Sequence, residues 1–260
     1  GRPPETREAH AWSLRKASLV VEPLFRFSGA LVDGTTVTLD GPEGHHAASV
    51  RRVRVGERVQ LTDGSGTRAR GAVAGTAQKS ITVAIDEVVV EALPALNFGL
   101  VQALAKGDRD ELAIQAATEL GASTVIPWQA ERSISRWDEA KRAKGVARWQ
   151  TICDEAAKQS LRAWFPTVQE PLSTDGLTKL GSTLLVLDPT ADLSIVDAKL
   201  PETGEVLLVV GPEGGISEGE LALLANAGAT RVHLGAGILR TSTAGVAAIA
   251  YLAGVTGQWR

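Results

Sequence analysis

Residues 207–252 repeat one local plan twice: an apolar run, a glycine-rich turn and the start of a helix. The first copy reads LLVVGPEGGISEGEL and the second HLGAGILRTSTAGVAAIAYL. In the first, Ser217 stands three residues ahead of Glu220, the spacing of an N-cap with its capping box. Glycine has no Cβ, so turns of this composition let backbone N–H and C=O groups come close to a ligand. Two such turns in one compact region predict a pocket walled mainly by backbone.

Upstream, the pattern changes character at Pro94. From Phe25 to about Val90 short strands dominate. LVDGTTVTLDG sets two half-apolar runs around Gly34, ERVQLTDGSGTRARGAVAGT turns back near residues 63–66, and SITVAIDEVVV alternates. Strands this dense predict a small β-barrel. Beyond Pro94 strands alternate with helices. NFGLVQAL, STVIPW, STLLVLDP, EVLLVVGP and TRVHLG read as strands, with helices at 108–120, 137–161 (one or two) and 243–254. The near-continuous apolar run of EVLLVVGP suits a parallel sheet covered on both faces. Ligands of such sheets bind beyond the carboxyl ends of the strands. The turns at 188–189, 211–215 and 235–237 belong to that edge.

At 44% hydrophobic and 22% charged, the chain has a globular rather than a disordered composition, and its 260 residues suffice for two domains. No apolar run reaches membrane-spanning length. One cysteine, Cys153, leaves no internal disulfide, which fits a reducing cytoplasm and reads as a small buried side chain. Net charge is −3, yet residues 1–90 carry 12 Lys+Arg against 10 Asp+Glu and the rest 15 against 20. The excess, with Arg51, Arg52, Arg54 and Arg58 together, suits either a local basic face for nucleic acid or a solvated surface strand, and charge alone does not choose between them. His45–His46 lacks companions at ligand spacing, so no metal is expected. The sequence holds no methionine, and residues 1–22 read as a poorly ordered leader or extension.

GPEGG followed by LGxxILRTxTA resembles the RsmE family of ribosomal RNA methyltransferases, of the knotted SPOUT class. The likeness continues in HHAASVRRVRVGERVQLTDGSG, in KGDRDELAIQAATELGASTVIPWQAERS and in RWQTICDEAAKQSLRAWFP. It thus covers most of the chain from about Phe25. The resemblance implies an α/β fold with a PUA-like β-barrel RNA-binding domain over residues 23–92 and a SPOUT trefoil-knot domain with a parallel sheet over 93–260. The knot is implied by the resemblance alone; local patterns do not reveal one, and general topology rules oppose it. The resemblance also implies a homodimer that uses S-adenosylmethionine to methylate N3 of a uridine in 16S ribosomal RNA of the small subunit.

Carried onto this chain, the cofactor positions are Leu187 and Asp188, then Gly211, Gly214 and Gly215, then Leu234, Gly235, Ile238, Leu239 and Ala244. A uridine N3 must lose its imide proton, and the resulting charge spreads onto two carbonyl oxygens. A cation there lowers the barrier; Arg240 is the first candidate. Glu213 is a candidate proton acceptor, or instead a brace for its own turn. Arg109, Arg132, Gln159 and Arg162 match the family's central region. Gln159 and Arg162, about one turn apart, share a face toward substrate or partner, and Glu119 and Arg132 suit a structural ion pair. In the barrel, Arg26, His46, Arg51 and Arg52 are candidates for phosphate contacts.

Two other readings compete: a SPOUT enzyme acting on transfer RNA or 23S ribosomal RNA, and a noncatalytic RNA-binding assembly factor. A Rossmann dehydrogenase is disfavoured because no G-x-G-x-x-G follows the first strand beyond Pro94. A P-loop NTPase fails because GPEGGIS lacks the phosphate-binding lysine.

Overall fold

The computed structural model describes residues 21–259, so the leader expected at 1–22 lies, apart from its last two residues, outside the described residues. Glu22 already belongs to the fold, its carboxylate pairing with Arg58 (3.7 Å) and Arg70 (3.2 Å).

The N-terminal unit contains β1 (Leu24–Arg26), β2 (Thr36–Leu39), the short helix α1 (Gly41–His45), a π-turn (His46–Val50), β3 (Arg58–Thr62), β4 (Thr67–Ala77) and β5 (Ser80–Val90). Its sheet order is β1-β3-β4-β5-β2, with β1 parallel to β3 and the other pairs antiparallel. No ladder joins β1 to β2, so the barrel is open. It nevertheless curls round one core, in which Phe25, Leu39, Leu61, Val73 and Val83 come from all five strands. Two register shifts in the β4–β5 ladder provide local bends that help it curl. The hairpin near residues 63–66 forms as the sequence predicts: Asp63 Oδ1 accepts the N–H groups of Ser65 (2.7 Å) and Thr67 (3.0 Å). The apolar residues before Gly34 join no ladder. A Thr35 Oγ1–H bond to the Val32 carbonyl (2.6 Å) turns the chain there instead.

The second sheet starts at β6 (Leu96–Ala103), just past Pro94. After it come α2 (Arg109–Glu119), β7 (Thr124–Trp128), α3 (Glu139–Gln159), β8 (Thr167–Val168), α4 (Thr174–Leu177), β9 (Thr183–Leu187), β10 (Gly204–Val210), α5 (Glu218–Asn226), β11 (Thr230–Val232) and α6 (Thr241–Val255). Six parallel strands run in the order β11-β9-β10-β6-β7-β8. One face packs Leu100, Ile114, Trp149, Ile249 and Leu252 under α2, α3 and α6; the other packs Val101, Trp128, Leu207 and Leu224 under α4 and α5. Burial on both sides explains why β10 is apolar at nearly every position. α3 is one helix, begun by the Asp138 side chain on the Lys141 N–H. α6 lies close on the sheet at Gly245, where a Cβ would stand 2.5 Å from Leu100 Cδ1.

The loop over 188–203 leaves β9, meets the end of β11 at Val232 and His233, and returns to β10 on the other side of β9. The Asp188 N–H donates to the Val232 carbonyl (3.0 Å), while the His233 N–H donates to Leu193 O (2.9 Å) and His233 O accepts from the Ile195 N–H (3.0 Å). These bonds seat the end of β11 against the loop, at the crossing where the resemblance puts the knot. Among the described residues no helix is long and apolar enough to cross a membrane, and no group of three or more His, Cys, Asp or Glu is placed to hold a metal ion.

Candidate cofactor and RNA site

β9, β10 and β11 end side by side, and their three turns enclose a cavity of about 650 Å³. That size lies within the usual range for small-molecule sites, roughly 300–1,000 Å³. Of the positions that the resemblance implies for a cofactor, Leu187, Asp188, Gly211, Gly215, Leu234, Ile238, Leu239 and Ala244 line it, and Glu213, Arg240, Arg109 and Arg132 stand in the same wall. Gly214 and Gly235 are not among its lining residues; they shape the turns instead. Gly214 O accepts from Arg132 Nη1 (3.2 Å). Gly235 has φ +108°, a conformation open to glycine, and its N–H donates to His233 Nδ1 (3.0 Å).

The two glycine turns are tied together by a residue that sequence reasoning passed over. Thr241 Oγ1 donates to Gly211 O (2.9 Å) and accepts from Gln102 Nε2 (2.8 Å), linking the second turn to the first through the middle of the sheet. The only advance signal was its place beside Arg240 at the start of an apolar helix.

Backbone donors remain in the wall. The N–H groups of Leu234, Ile238 and Leu239 donate to no described residue, while Leu187, Leu234 and Val210 supply apolar surface. A nucleoside-containing ligand needs such a slot, with apolar walls for its base and backbone donors for its polar edge. The cavity fits that requirement.

The charged residues divide by what holds them. Arg240 is the N-cap of α6 and exposed, and its guanidinium has no hydrogen-bond or ion-pair partner among the described residues. Glu213 Oε1 accepts from Arg109 Nη1 (2.9 Å) and from the Lys106 N–H (3.2 Å). Partial burial pushes its pKa up, but backbone N–H groups and Arg109 outweigh that and hold the carboxyl below its ordinary value. Of the two roles open to Glu213, this geometry favours the brace: a carboxylate held as the anion is a weak proton acceptor. Asp188 lines the cavity with both oxygens engaged. Oδ2 accepts from Arg231 Nε (2.8 Å) and Nη2 (2.6 Å), and Oδ1 accepts from the Thr190 N–H and Oγ1–H (both 2.9 Å). It shapes the turn rather than offering a free carboxylate.

Other expectations need correction. Arg162 does not share a surface face with Gln159, because α3 ends at Gln159. The Arg162 guanidinium turns inward and donates to Thr118 O (2.7 Å), Ala122 O (2.7 Å) and Gly121 O (3.1 Å), closing the end of α2. Burial lowers its pKa to about 10. A side chain so occupied cannot reach RNA. Gln159 itself is exposed. Glu119 and Arg132 form no ion pair: Glu119 accepts from Gln115 Nε2 (3.4 Å), and Arg132 reaches Gly214. In the barrel, Arg51 and Arg52 are exposed and unpaired among the described residues, as a phosphate contact requires. His46 is half-buried, edge-on to Phe25 at 5.9 Å. Arg26 is already engaged, its Nη1 3.0 Å from Asp154 Oδ2 and its guanidinium over the Phe165 ring. It serves the contact between domains rather than a phosphate.

A family model described as an RNA methyltransferase domain matches residues 92–253, and one described as an RNA methyltransferase PUA domain matches residues 39–86. The Ribosomal RNA small subunit methyltransferase E of Mycobacterium bovis is 43% identical over 235 residues, covering 87% of this chain and 89% of the relative. The chain belongs to the RsmE family. The Bacillus subtilis protein of the same name is 31% identical over 82% of this chain and 87% of its own length. The crystal structure of Neisseria gonorrhoeae Ribosomal RNA small subunit methyltransferase E bound to S-adenosyl methionine matches with a TM-score of 0.83 at 31% identity. It covers 90% of this chain and 98% of that one. This RsmE-family chain joins a PUA domain to a parallel sheet, and its cavity lies where the ends of β9, β10 and β11 meet.

Proposed function

We propose that this chain is a cytoplasmic homodimeric methyltransferase that modifies N3 of one uridine in 16S ribosomal RNA of the small subunit. The observation that carries the reading is the cavity at the knot, walled by two joined glycine turns and edged by the free guanidinium of Arg240. S-adenosylmethionine, when bound there, supplies an electrophilic methyl group on a sulfonium centre. Leu234, Ile238 and Leu239 hold it through backbone N–H groups, with Leu187 and Ala244 as apolar wall; holding donor and acceptor in line supplies much of the acceleration.

Arg240 places a cation against the uracil carbonyl oxygens, where charge develops as the N3 proton leaves. Glu213 braces the 106–109 segment against the first glycine turn, and the imide proton passes to solvent water. Arg109 holds Glu213 in that brace, Arg132 at the same rim meets the RNA backbone, and Arg51 and Arg52 engage phosphates from the barrel; such contacts position RNA without reading it. Ile238 is 83% exposed at the mouth of the cavity. The homodimer follows from the family resemblance, and Ile238 with Leu239 (40% exposed) offers it a small apolar rim.

The test is mass mapping of ribosomal RNA from a strain lacking the gene. The expected result is loss of one N3-methyluridine in 16S RNA, restored by this chain and not by Arg240→Ala. A lost mark in transfer RNA or 23S RNA would move the target. Failure to bind S-adenosylmethionine in calorimetry would point to a noncatalytic assembly factor.

A further inference from the structure

The barrel meets the catalytic domain along α3 and the segment that follows it, and the meeting is built from charged groups on both sides. Lys158, on the last turn of α3, has a side chain only 6% exposed. Its Nζ reaches Glu43 Oε1 of the barrel (2.6 Å) and Glu155 Oε1 of its own helix (2.7 Å). The other oxygen of Glu43 accepts the Arg26 N–H (3.1 Å), and the Arg26 guanidinium returns across the seam to Asp154 Oδ2 (3.0 Å). Two crossed ion pairs therefore connect the domains, one in each direction. Around them Leu24, Ala157 and Phe165 form a small apolar cluster of their own. Hydrogen bonds finish the seam: Gly66 N–H to Ala163 O (3.1 Å), Phe165 N–H to Gly64 O (2.9 Å) and Trp164 Nε1–H to Glu91 O (2.8 Å). Gly66 is required there, since a Cβ would come within 2.7 Å of the Trp164 ring.

A buried ammonium is costly unless paired, and the pairing here uses a carboxylate from the other domain. Undocking the barrel would leave Lys158 with Glu155 alone. A barrel tethered only by residues 91–95 would sample many orientations, and each RNA contact would then be made separately. A docked barrel holds Arg51 and Arg52 at a set distance from the cofactor cavity, so that both contacts form in one event.

We infer that Lys158, with Glu43, Arg26 and Asp154, is a latch that positions the RNA-binding barrel for methyl transfer. The inference rests on the reading that the barrel delivers RNA to the cavity. None of the four touches the cofactor cavity, so they are positioning residues.

The sign of the effect separates a latch from plain electrostatics. Glu43→Gln and Asp154→Asn each remove a negative charge, which on charge alone strengthens binding to RNA. A broken latch weakens it. The experiment measures S-adenosylmethionine affinity by calorimetry and steady-state methylation of small subunits purified from the deletion strain, for the unmodified chain, Glu43→Gln, Asp154→Asn and the double variant. The latch requires KM for the subunit to rise, on the order of tenfold in the double variant, with kcat and cofactor affinity within about twofold of the unmodified chain. An unchanged or lowered KM in all three variants overturns the latch while leaving the methyltransferase reading intact. No cofactor binding by the unmodified chain overturns the parent reading instead. Lys158→Met combined with Glu43→Gln leaves no carboxylate of the barrel unpaired, so its KM should fall between those of Lys158→Met and the unmodified chain. A double variant no better than Lys158→Met would also count against the latch.

Discussion

Replacing Arg162 by methionine keeps much of the apolar stem and removes the guanidinium that closes α2. Three carbonyls lose a charge-assisted donor: Thr118 O, Gly121 O and Ala122 O. Thr118 O still accepts from the Gly121 N–H (3.1 Å), so its loss is the smallest. The other two are left without that donor in a half-buried turn, at about 1–3 kcal/mol each. Allowing for relaxation toward water and for the released cost of burying the guanidinium, the expected destabilisation is about 2–4 kcal/mol, a large part of the roughly 5–15 kcal/mol that holds a domain folded. Urea unfolding should therefore show a lower midpoint at unchanged slope. Arg162→Lys, which supplies a point charge in place of a planar fork, should lose about half as much. Cofactor affinity and KM for the small subunit should be unchanged at temperatures where the variant is folded. An unfolding free energy within about 1 kcal/mol of the unmodified chain, together with a raised KM, would refute the capping role and return Arg162 to the RNA-contact face.

Arg240→Ala should lower methyl transfer by about 10²–10³-fold with cofactor affinity unchanged in calorimetry; equal losses in both would make Arg240 a cofactor ligand. Thr241→Val should weaken cofactor binding about tenfold, since two hydrogen bonds joining the glycine turns are lost, and an unaltered Kd would show that the turns hold their shape without it. Burial, the main cause, pushes the Cys153 thiol up to about 11. The folded chain therefore keeps that proton, the associated stability falls as pH rises above the unfolded thiol value, and alkylation at pH 8 should follow global unfolding only. Glu213 has the opposite sign. Its folded pKa is lowered, so its contribution is present above the ordinary carboxylate range and lost as pH falls through the folded value. Glu213→Gln should accordingly flatten the acid limb of the stability profile, and an unchanged limb would mean that Arg109 and Lys106 do not depend on it.

What could be read along the chain was whatever is decided within a few residues. The capping box at Ser217–Glu220 forms as spaced, with Ser217 N–H to Glu220 Oε2 at 3.1 Å. The apolar run of β10, the hairpin at 63–66 and the glycine turns at 211–215 and 235–237 also express local periodicity and backbone freedom, which sequence records directly. The change of architecture near Pro94 was equally legible, because strand spacing alters there.

Tertiary structure decided the partners of charged side chains and the path of the chain. Arg162 lies 40 or more residues from the carbonyls it caps, Glu213 is 104 from Arg109, and Glu43 is 115 from Lys158. No periodicity links residues that far apart. An arginine on a phosphate and an arginine on a helix end are written with the same letter. The crossing at the knot is of the same kind: each strand and turn in it is ordinary by itself, and only tertiary structure brings the 188–203 loop against His233 at the end of β11.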